Sequence, residues 1–126
     1  MEIKYDKLLD DVRERDRSYV FHGSRTKKAT NSYFESDGLF TNVVPIYIPQ
    51  DMFLDSISVT TDGIETWVAE VHRNGLLIVG ATLSISATNQ GNVKGLGIAV
   101  SEGSLISFYV NGVDIEKPRI VVTFKN

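Results

Sequence analysis

Cysteine is absent from this sequence of 126 residues. Its absence excludes disulfide bonds, thiolate metal ligands, iron–sulfur clusters and a cysteine nucleophile. Histidine is scarce as well, because the chain has only His22 and His72, and neither belongs to an HxH or HExxH motif. A zinc site therefore lacks its usual set of ligands.

Motifs for catalysis and for phosphate binding are also missing. No serine lies in a GxSxG turn, and no segment has the spacing of a phosphate-binding loop. The carboxylates around one predicted hairpin, Asp51, Asp55, Asp62 and Glu65, lack the spacing of a calcium-binding loop. We therefore expect a protein that is not an enzyme and that needs neither a metal nor a cofactor.

Long apolar runs and an excess of basic residues are missing too. The longest uncharged stretches are interrupted by Pro, Asn or Gly, so none resembles the ~20 apolar residues of a membrane-spanning helix. The first residues are charged rather than apolar, unlike a secretion signal. The net charge is −3, whereas nucleic-acid-binding proteins usually present a basic face. Neither a membrane nor a nucleic acid is expected as a partner.

The distribution of charge divides the chain into three segments. Residues 1–17 contain five basic and six acidic residues, and residues 18–34 contain three basic residues and no acidic one. Residues 35–126 contain five basic and ten acidic residues. This division predicts an N-terminal helical arm with a basic linker over residues 1–34 and a β-sandwich domain over residues 35–126.

The arm has the period of an amphipathic helix. Apolar side chains recur at i, i+3, i+4 and i+7, which places them on one face. A helix this short is marginal alone in water, so its apolar face must be covered by its own domain or by another subunit. The basic side chains of the linker either lie in solvent or contact an acidic partner surface. We predict that both sets bind a partner: Tyr5, Leu8, Leu9, Val12, Arg25, Lys27 and Lys28.

From Phe34 onward the hydrophobic period is two. Apolar and polar residues alternate in about eight short runs, which is typical of strands in an antiparallel sheet. This predicts an all-β fold, an antiparallel β-sandwich of immunoglobulin-like or jelly-roll type, with Trp67, Phe108 and Phe124 in its core.

Turn residues separate the predicted strands. Asp-Gly and Asn-Gly pairs suit tight hairpin turns, because both central positions need a positive φ. We predict turns at five places: Asp62-Gly63, Asn74-Gly75, Gln90-Gly91, Glu102-Gly103 and Asn111-Gly112.

Two stripes of small hydroxyl side chains lie in the outward register of the predicted strands. Solvent-facing sheets usually carry Lys and Glu, which also oppose association between sheets. A stripe without charge either reflects the good fit of small hydroxyls on a pleated surface or marks an interface with another subunit. The stripes are Ser56, Ser58 and Thr60, and Thr82, Ser84 and Ser86. By the same register His72 is expected at the surface.

Two stretches resemble small β-domains of tailed-bacteriophage virion proteins: VVPIYIPQDMFLDSISVTTDGIETWVAEVHRNG and GSLISFYVNGVDIEKPRIVVTFKN. The matching features are the strand that ends at Pro49, the strand over residues 66–71, and the closing pair over residues 106–110 and 118–124. Tail collar, fibre-associated, head fibre and decoration proteins have domains of this kind. The resemblance implies a virion structural protein that is assembled in the host cytoplasm beside other virion proteins and acts without chemistry of its own.

Assembly implies many copies, so we expect a homo-oligomer, with a ring or a trimer ahead of a dimer. The alternative is a carbohydrate- or receptor-binding module. Tyr47, Trp67 and Tyr109 are the aromatic residues considered for a saccharide platform, although Trp67 falls in the core register.

Overall fold

The computed structural model describes residues 18–36 and 45–126, and these residues form an all-β, antiparallel structure. The predicted all-β class is confirmed. Within the described residues, no helix is long and apolar enough to cross a membrane. The predicted helical arm, with Tyr5, Leu8, Leu9 and Val12, lies outside the described residues.

Nine strands make up the described sheet. They are β1 (Ser18–Ser24), β2 (Ser32–Tyr33), β3 (Glu35–Ser36), β4 (Ile46–Tyr47), β5 (Met52–Arg73), β6 (Leu76–Val93), β7 (Ile98–Val100), β8 (Leu105–Asn111) and β9 (Arg119–Lys125).

The two longest strands, β5 and β6, form one hairpin, and β5 pairs with other strands on both of its sides. On one side β5 pairs with β6 and β7. On its other side it pairs with β9 along residues 53–60 and with β8 along residues 68–73. The sheet therefore has a first half-sheet, with β9, β1 and β3, and a second half-sheet, with β8, β2 and β4. The sheet is curled, and its buried apolar side chains form one core.

Irregular pairing bends this hairpin near its middle. Thr60 pairs with Gln90 and Glu65 pairs with Thr88, so residues 61–64 of β5 lie opposite Asn89 alone. Extra residues on one strand of a pair increase its twist and bend it. The bend lies between the part of β5 that pairs with β9 and the part that pairs with β8.

The bend explains which predicted turns are correct. Asn74-Gly75 does join β5 to β6, with φ values of 52° and 83°, as predicted. The turns predicted at Asp62-Gly63 and Gln90-Gly91 are wrong, because the first pair lies within β5 and the second within β6. Both pairs lie at or beside the bend, so their turn-forming residues distort the strands without reversing the chain.

The core follows the predicted alternation closely. Trp67 is 3% exposed, Phe108 2% and Phe124 0%, which confirms their predicted burial. A bulge at Asp55 shifts the alternation, because Leu54 pairs with Phe124 whereas Ser56 pairs with Thr123.

The segment before residue 35 differs from the predicted linker. β1 pairs with β9 along its whole length, so the chain from Ser18 onward belongs to the sheet. Tyr19 and Phe21 pack against the core, and Phe21 makes an edge contact with Phe124 at 5.7 Å between ring centroids. Among residues 18–34, residues 25–31 and Phe34 lie outside the strands. The division of the chain by charge did not predict β1, because β1 contains only three apolar residues.

Candidate functional site

A polar cluster lies on the outer face of the second half-sheet. The Tyr33 hydroxyl lies 3.0 Å from Nδ1 of His72, and Nε2 of His72 lies 2.8 Å from Oε1 of Glu70. Asn111 donates through Nδ2 to Oε2 of Glu70 at 2.8 Å. The Tyr109 ring stacks on His72 at 4.9 Å between centroids. We call these five residues the outer-face cluster.

The expectation that His72 lies at the surface is wrong. Its exposed fraction is 8%, and that of Glu70 is 9%. The register did place His72 on the outer face, but Tyr33 and Tyr109 cover it there. Aromatic neighbours from β2 and β8 therefore bury a residue that the strand pattern alone assigns to solvent.

The outer-face cluster satisfies its own polar atoms. A neutral His72 with its proton on Nε2 donates to Glu70 and accepts from the Tyr33 hydroxyl. Both carboxylate oxygens of Glu70 are also bonded. His72 and Glu70 are largely buried and the Tyr109 ring covers the imidazole, so a substrate has little access to them. The hydrogen bonds of the cluster link β2, β5 and β8.

The central serines of the two hydroxyl stripes have uncharged neighbours across the strands, whereas at the stripe ends Thr60 pairs with Arg119 and Thr82 pairs with Glu70. Ser58 lies between Asn92 and Val121, and Ser84 lies beside Val68. Ser84 and Ser86 are exposed, whereas Ser56, Ser58 and Thr82 are half-buried. The centre of each stripe is therefore uncharged across neighbouring strands, and the charged neighbours lie at the stripe ends.

The strand β6 is also a free edge of the sheet. Among the described residues it pairs with β5 alone. Residues 74–93 contain no Asp, Glu, Lys, Arg or Pro. Sheet edges are usually protected by such residues, by shortness or by bulges. Here β2, β3, β4 and β7 are two or three residues long, whereas β6 has 18 residues.

Bulges divide this edge into two regular parts, one at residues 82–86 and one at residues 90–93, where β6 pairs with residues 57–60. Residues 78–81 lie opposite Val71 alone, and Ala87 has a φ of 51°. Between these bulges, the segment 82–86 alternates between the outer face and the core, with Leu83 and Ile85 buried. We call segment 82–86 the edge window.

An apolar hairpin tip lies next to the edge window. Leu76 is 75% exposed, Leu77 45% and Val79 92%. Val79 belongs to the bulged segment 78–81, which holds it out of the regular alternation. Exposed apolar groups that cluster in this way often mark an interaction surface.

The predicted basic contact residues have partners within the chain or lie in solvent. Arg25 pairs with Glu35 at 3.2 Å, with both side chains largely buried. Lys28 pairs with Glu116 at 3.3 Å near the surface, and Lys27 is exposed. The role of these residues in binding a partner stays a prediction.

The four carboxylates considered for calcium each have a separate partner. Asp55 pairs with Lys125 at 3.3 Å, and Asp62 pairs with Arg119 at 2.9 Å. Asp51 accepts from the Glu102 amide at 2.8 Å, and Glu65 accepts from the Glu116 amide at 3.4 Å. In the described part of the chain, no group of three metal-ligating side chains occurs.

The aromatic residues considered for a saccharide are not assembled into one platform. Tyr47 is 60% exposed, but Trp67 is buried in the core. Tyr109 stacks on His72 and makes an edge contact with Tyr33 at 5.0 Å.

Sequence reasoning missed the outer-face cluster and the edge window. Glu70 and His72 are two residues apart on one strand, which was the available signal for a polar pair on one face. The uncharged run 74–93 was the signal for an unprotected edge, but the sequence does not show which strand lies at an edge.

Comparisons with known proteins give no assignment. No family model matches the chain, and no curated protein matches it. Among solved structures, the chain is similar to the crystal structure of FLHE, with a TM-score of 0.43 and 9% identity over 86% of this chain and 98% of that chain. It is also similar to a virus-like particle of the giant freshwater prawn Macrobrachium rosenbergii extra small virus, with a TM-score of 0.34 and 8% identity over 88% of this chain and 80% of that chain. Both TM-scores are below 0.5, so neither likeness bears on function.

Proposed function

We propose that this protein is a non-enzymatic structural protein that acts by forming a homo-oligomer. The observation that carries the proposal is the lack of charge beside the two stripe centres, where the neighbours of Ser58 and Ser84 are Asn92, Val121 and Val68. Uncharged hydroxyl side chains cost far less to remove from water than charged ones, so such faces suit contact with another subunit. The burial of His72 and Glu70 in the outer-face cluster supports a role without catalysis.

We further propose that the assembly is part of a tailed-bacteriophage virion, as a tail collar, fibre-associated or decoration component. This rests on the resemblance of strand and turn pattern over residues 40–126. In this proposal the partners are other virion proteins, the two half-sheets face each other as a β-sandwich, and the N-terminal arm forms a joint between subunits.

A carbohydrate- or receptor-binding module is the alternative function. The exposed ring of Tyr47 is the observation in its favour. The burial of Trp67 and the internal stacking of Tyr109 weigh against a continuous aromatic platform. Assembly therefore has the stronger support.

Light scattering coupled to size-exclusion chromatography tests the proposal. We expect a mass that is a multiple of 14.0 kDa for the full chain. Replacing both stripe centres, Ser58→Lys with Ser84→Lys, should lower this mass, since it puts charge on both outer faces. The matched control is Glu102→Lys at an exposed turn, which should keep the native mass. A wild-type mass of 14.0 kDa throughout the micromolar range would contradict the proposal.

A further inference from the structure

We infer that the edge window of β6 pairs with the same window of a second copy, antiparallel, about a twofold axis at Ser84. The inference rests on the proposed oligomeric function and names the contact that builds the oligomer. It assigns a role to the longest described edge of the sheet, which has no partner strand among the described residues.

The backbone of the edge window supplies the first part of the attraction. In a strand paired on one side, every second residue directs its N–H and C=O away from the sheet. A strand from another chain can bond these groups and extend the sheet. Of the two regular parts of β6, the one between the bulges at residues 78–81 and Ala87 lies next to the exposed Leu76 and Val79, so we expect pairing to centre between Ala81 and Ala87. Ser84 is the midpoint of that interval.

The side chains then fix the register. Residues directly opposite each other in an antiparallel pair lie on the same face of the sheet. A twofold axis perpendicular to the sheet therefore lies midway between one residue and the same residue of the second copy. A one-residue slip would set outer-face residues against core-face residues. With the axis at Ser84, Thr82 meets Ser86 and Leu83 meets Ile85. Hydroxyl groups then face hydroxyl groups, and aliphatic groups face aliphatic groups.

The lack of charge in the edge window suits a second copy as its occupant. The chain carries a net charge of −3, so two copies repel each other over much of their surface. The nearest charged residues along the chain, Arg73 and Lys94, are ten or more positions from Ser84. A twofold axis sets Ser84 beside its own copy, which an uncharged residue tolerates and a charged residue does not. The same edge continues to Leu76 and Val79, so a second copy along it also covers exposed apolar side chains.

Single cysteines provide a direct test, because the natural chain has none. In the full chain, Ser84→Cys should form a disulfide-linked dimer on mild oxidation. Directly opposite Cα atoms are about 4.5–5.5 Å apart, within the range for a disulfide. We expect cross-linking about tenfold or more faster than for Ser101→Cys, an exposed control on a loop, since an interface raises the effective thiol concentration.

Single cysteines at Thr82 and Ser86 test the register of the proposed pairing. Thr82→Cys alone and Ser86→Cys alone should not cross-link quickly, because each residue lies roughly 14 Å from its own copy across the axis. An equimolar mixture of the two variants should cross-link, because Thr82 lies opposite Ser86. Ser84→Lys should reduce the native mass about twofold if the dimer is the unit that the edge builds, whereas Ser84→Thr should keep the mass.

The outcomes separate this inference from the proposed function. A wild-type monomer overturns both. A wild-type oligomer that Ser84→Lys leaves intact, or in which Ser84→Cys cross-links no faster than Ser101→Cys, overturns the edge contact and leaves the oligomeric function standing. A trimer does the same, because a twofold contact requires an even number of copies. An even oligomer with the expected pattern of cross-links supports the inference.

Discussion

At the residue scale, the outer-face cluster shows that strand alternation predicts the face of a residue but not its burial. Alternation assigns Glu70 and His72 to one face, and the structure agrees with that assignment. The burial of these two side chains depends in part on Tyr33 and Asn111, which lie 39 and 41 residues away in sequence from their hydrogen-bond partners. Strand pairing brings them together, and the sequence alone does not reveal which strands are neighbours.

The cluster predicts unequal effects for the two histidines. His72→Phe should lower the free energy of unfolding by about 1–3 kcal/mol, because it leaves buried polar atoms of Tyr33 and Glu70 without that partner. His22→Phe is the matched control, since His22 is exposed on β1, and its effect should stay within about 0.5 kcal/mol. Urea denaturation followed by tryptophan fluorescence measures both. Equal effects of the two substitutions would mean that the cluster does not stabilise the fold.

At the element scale, β5 and β6 show what turn-forming residues signal. The sequence predicted several short strands, whereas the structure has a single bent hairpin there. Asn74-Gly75 reverses the chain because both residues adopt positive φ. Asp62-Gly63 and Gln90-Gly91 do not reverse it, since both neighbouring segments continue to pair across the bend. A residue pair that favours irregular backbone can therefore indicate either a β-bulge or a turn.

Glycine positions beside this hairpin give a prediction about packing. A Cβ at Gly112 would lie 2.7 Å from the Cβ of Trp67 and 3.1 Å from side-chain atoms of Ile115. Gly112→Ala should therefore destabilise the protein by about 1–3 kcal/mol, as overpacking does in a close-packed core. At Gly63 the nearest atom is the end of the Glu65 side chain, at 2.9 Å, which can move.

Gly63→Ala is consequently the matched control for Gly112→Ala. Neither glycine has a positive φ, so the comparison isolates steric contact from backbone strain. Thermal unfolding should give a lower melting temperature for Gly112→Ala than for Gly63→Ala. The reverse order would show that Trp67 and Ile115 move aside more easily than the Glu65 side chain.

At the scale of the whole molecule, composition and period predicted the class of fold but not its extent. The all-β class and the core residues followed from alternation. The place of Ser18–Ser24 in the sheet did not, because basic residues and a charged N-terminal segment suggested a linker there. The free edge at β6 also requires the pairing order, which depends on contacts between distant parts of the chain.

Removing residues 1–17 tests the predicted arm without touching β1. We expect the shortened protein to keep its melting temperature and to lose part of its oligomeric mass. Burying Leu8, Leu9 and Val12 in an interface should contribute about 1.5–3 kcal/mol for each side chain. Leu8→Asp with Leu9→Asp should have the same effect as the deletion.

The control for that pair is Lys7→Ser with Asp11→Ser, on the polar faces of the predicted helix. It should keep the native mass, because exposed ion pairs contribute only about 0–1 kcal/mol. Unfolding of the shortened protein would instead place the arm in the core, and an unchanged mass would show that the arm does not join subunits.

The pairing of β1 with β9 has a consequence for synthesis. Ser18 pairs with Lys125, so the first described strand finds its place only beside the last one. During translation β1 therefore waits until β9 has left the ribosome, and closing so long a loop costs entropy before the contacts between the two strands form. We expect slow, all-or-none folding once β9 has emerged, with the uncharged β6 exposed to neighbouring nascent chains in the meantime.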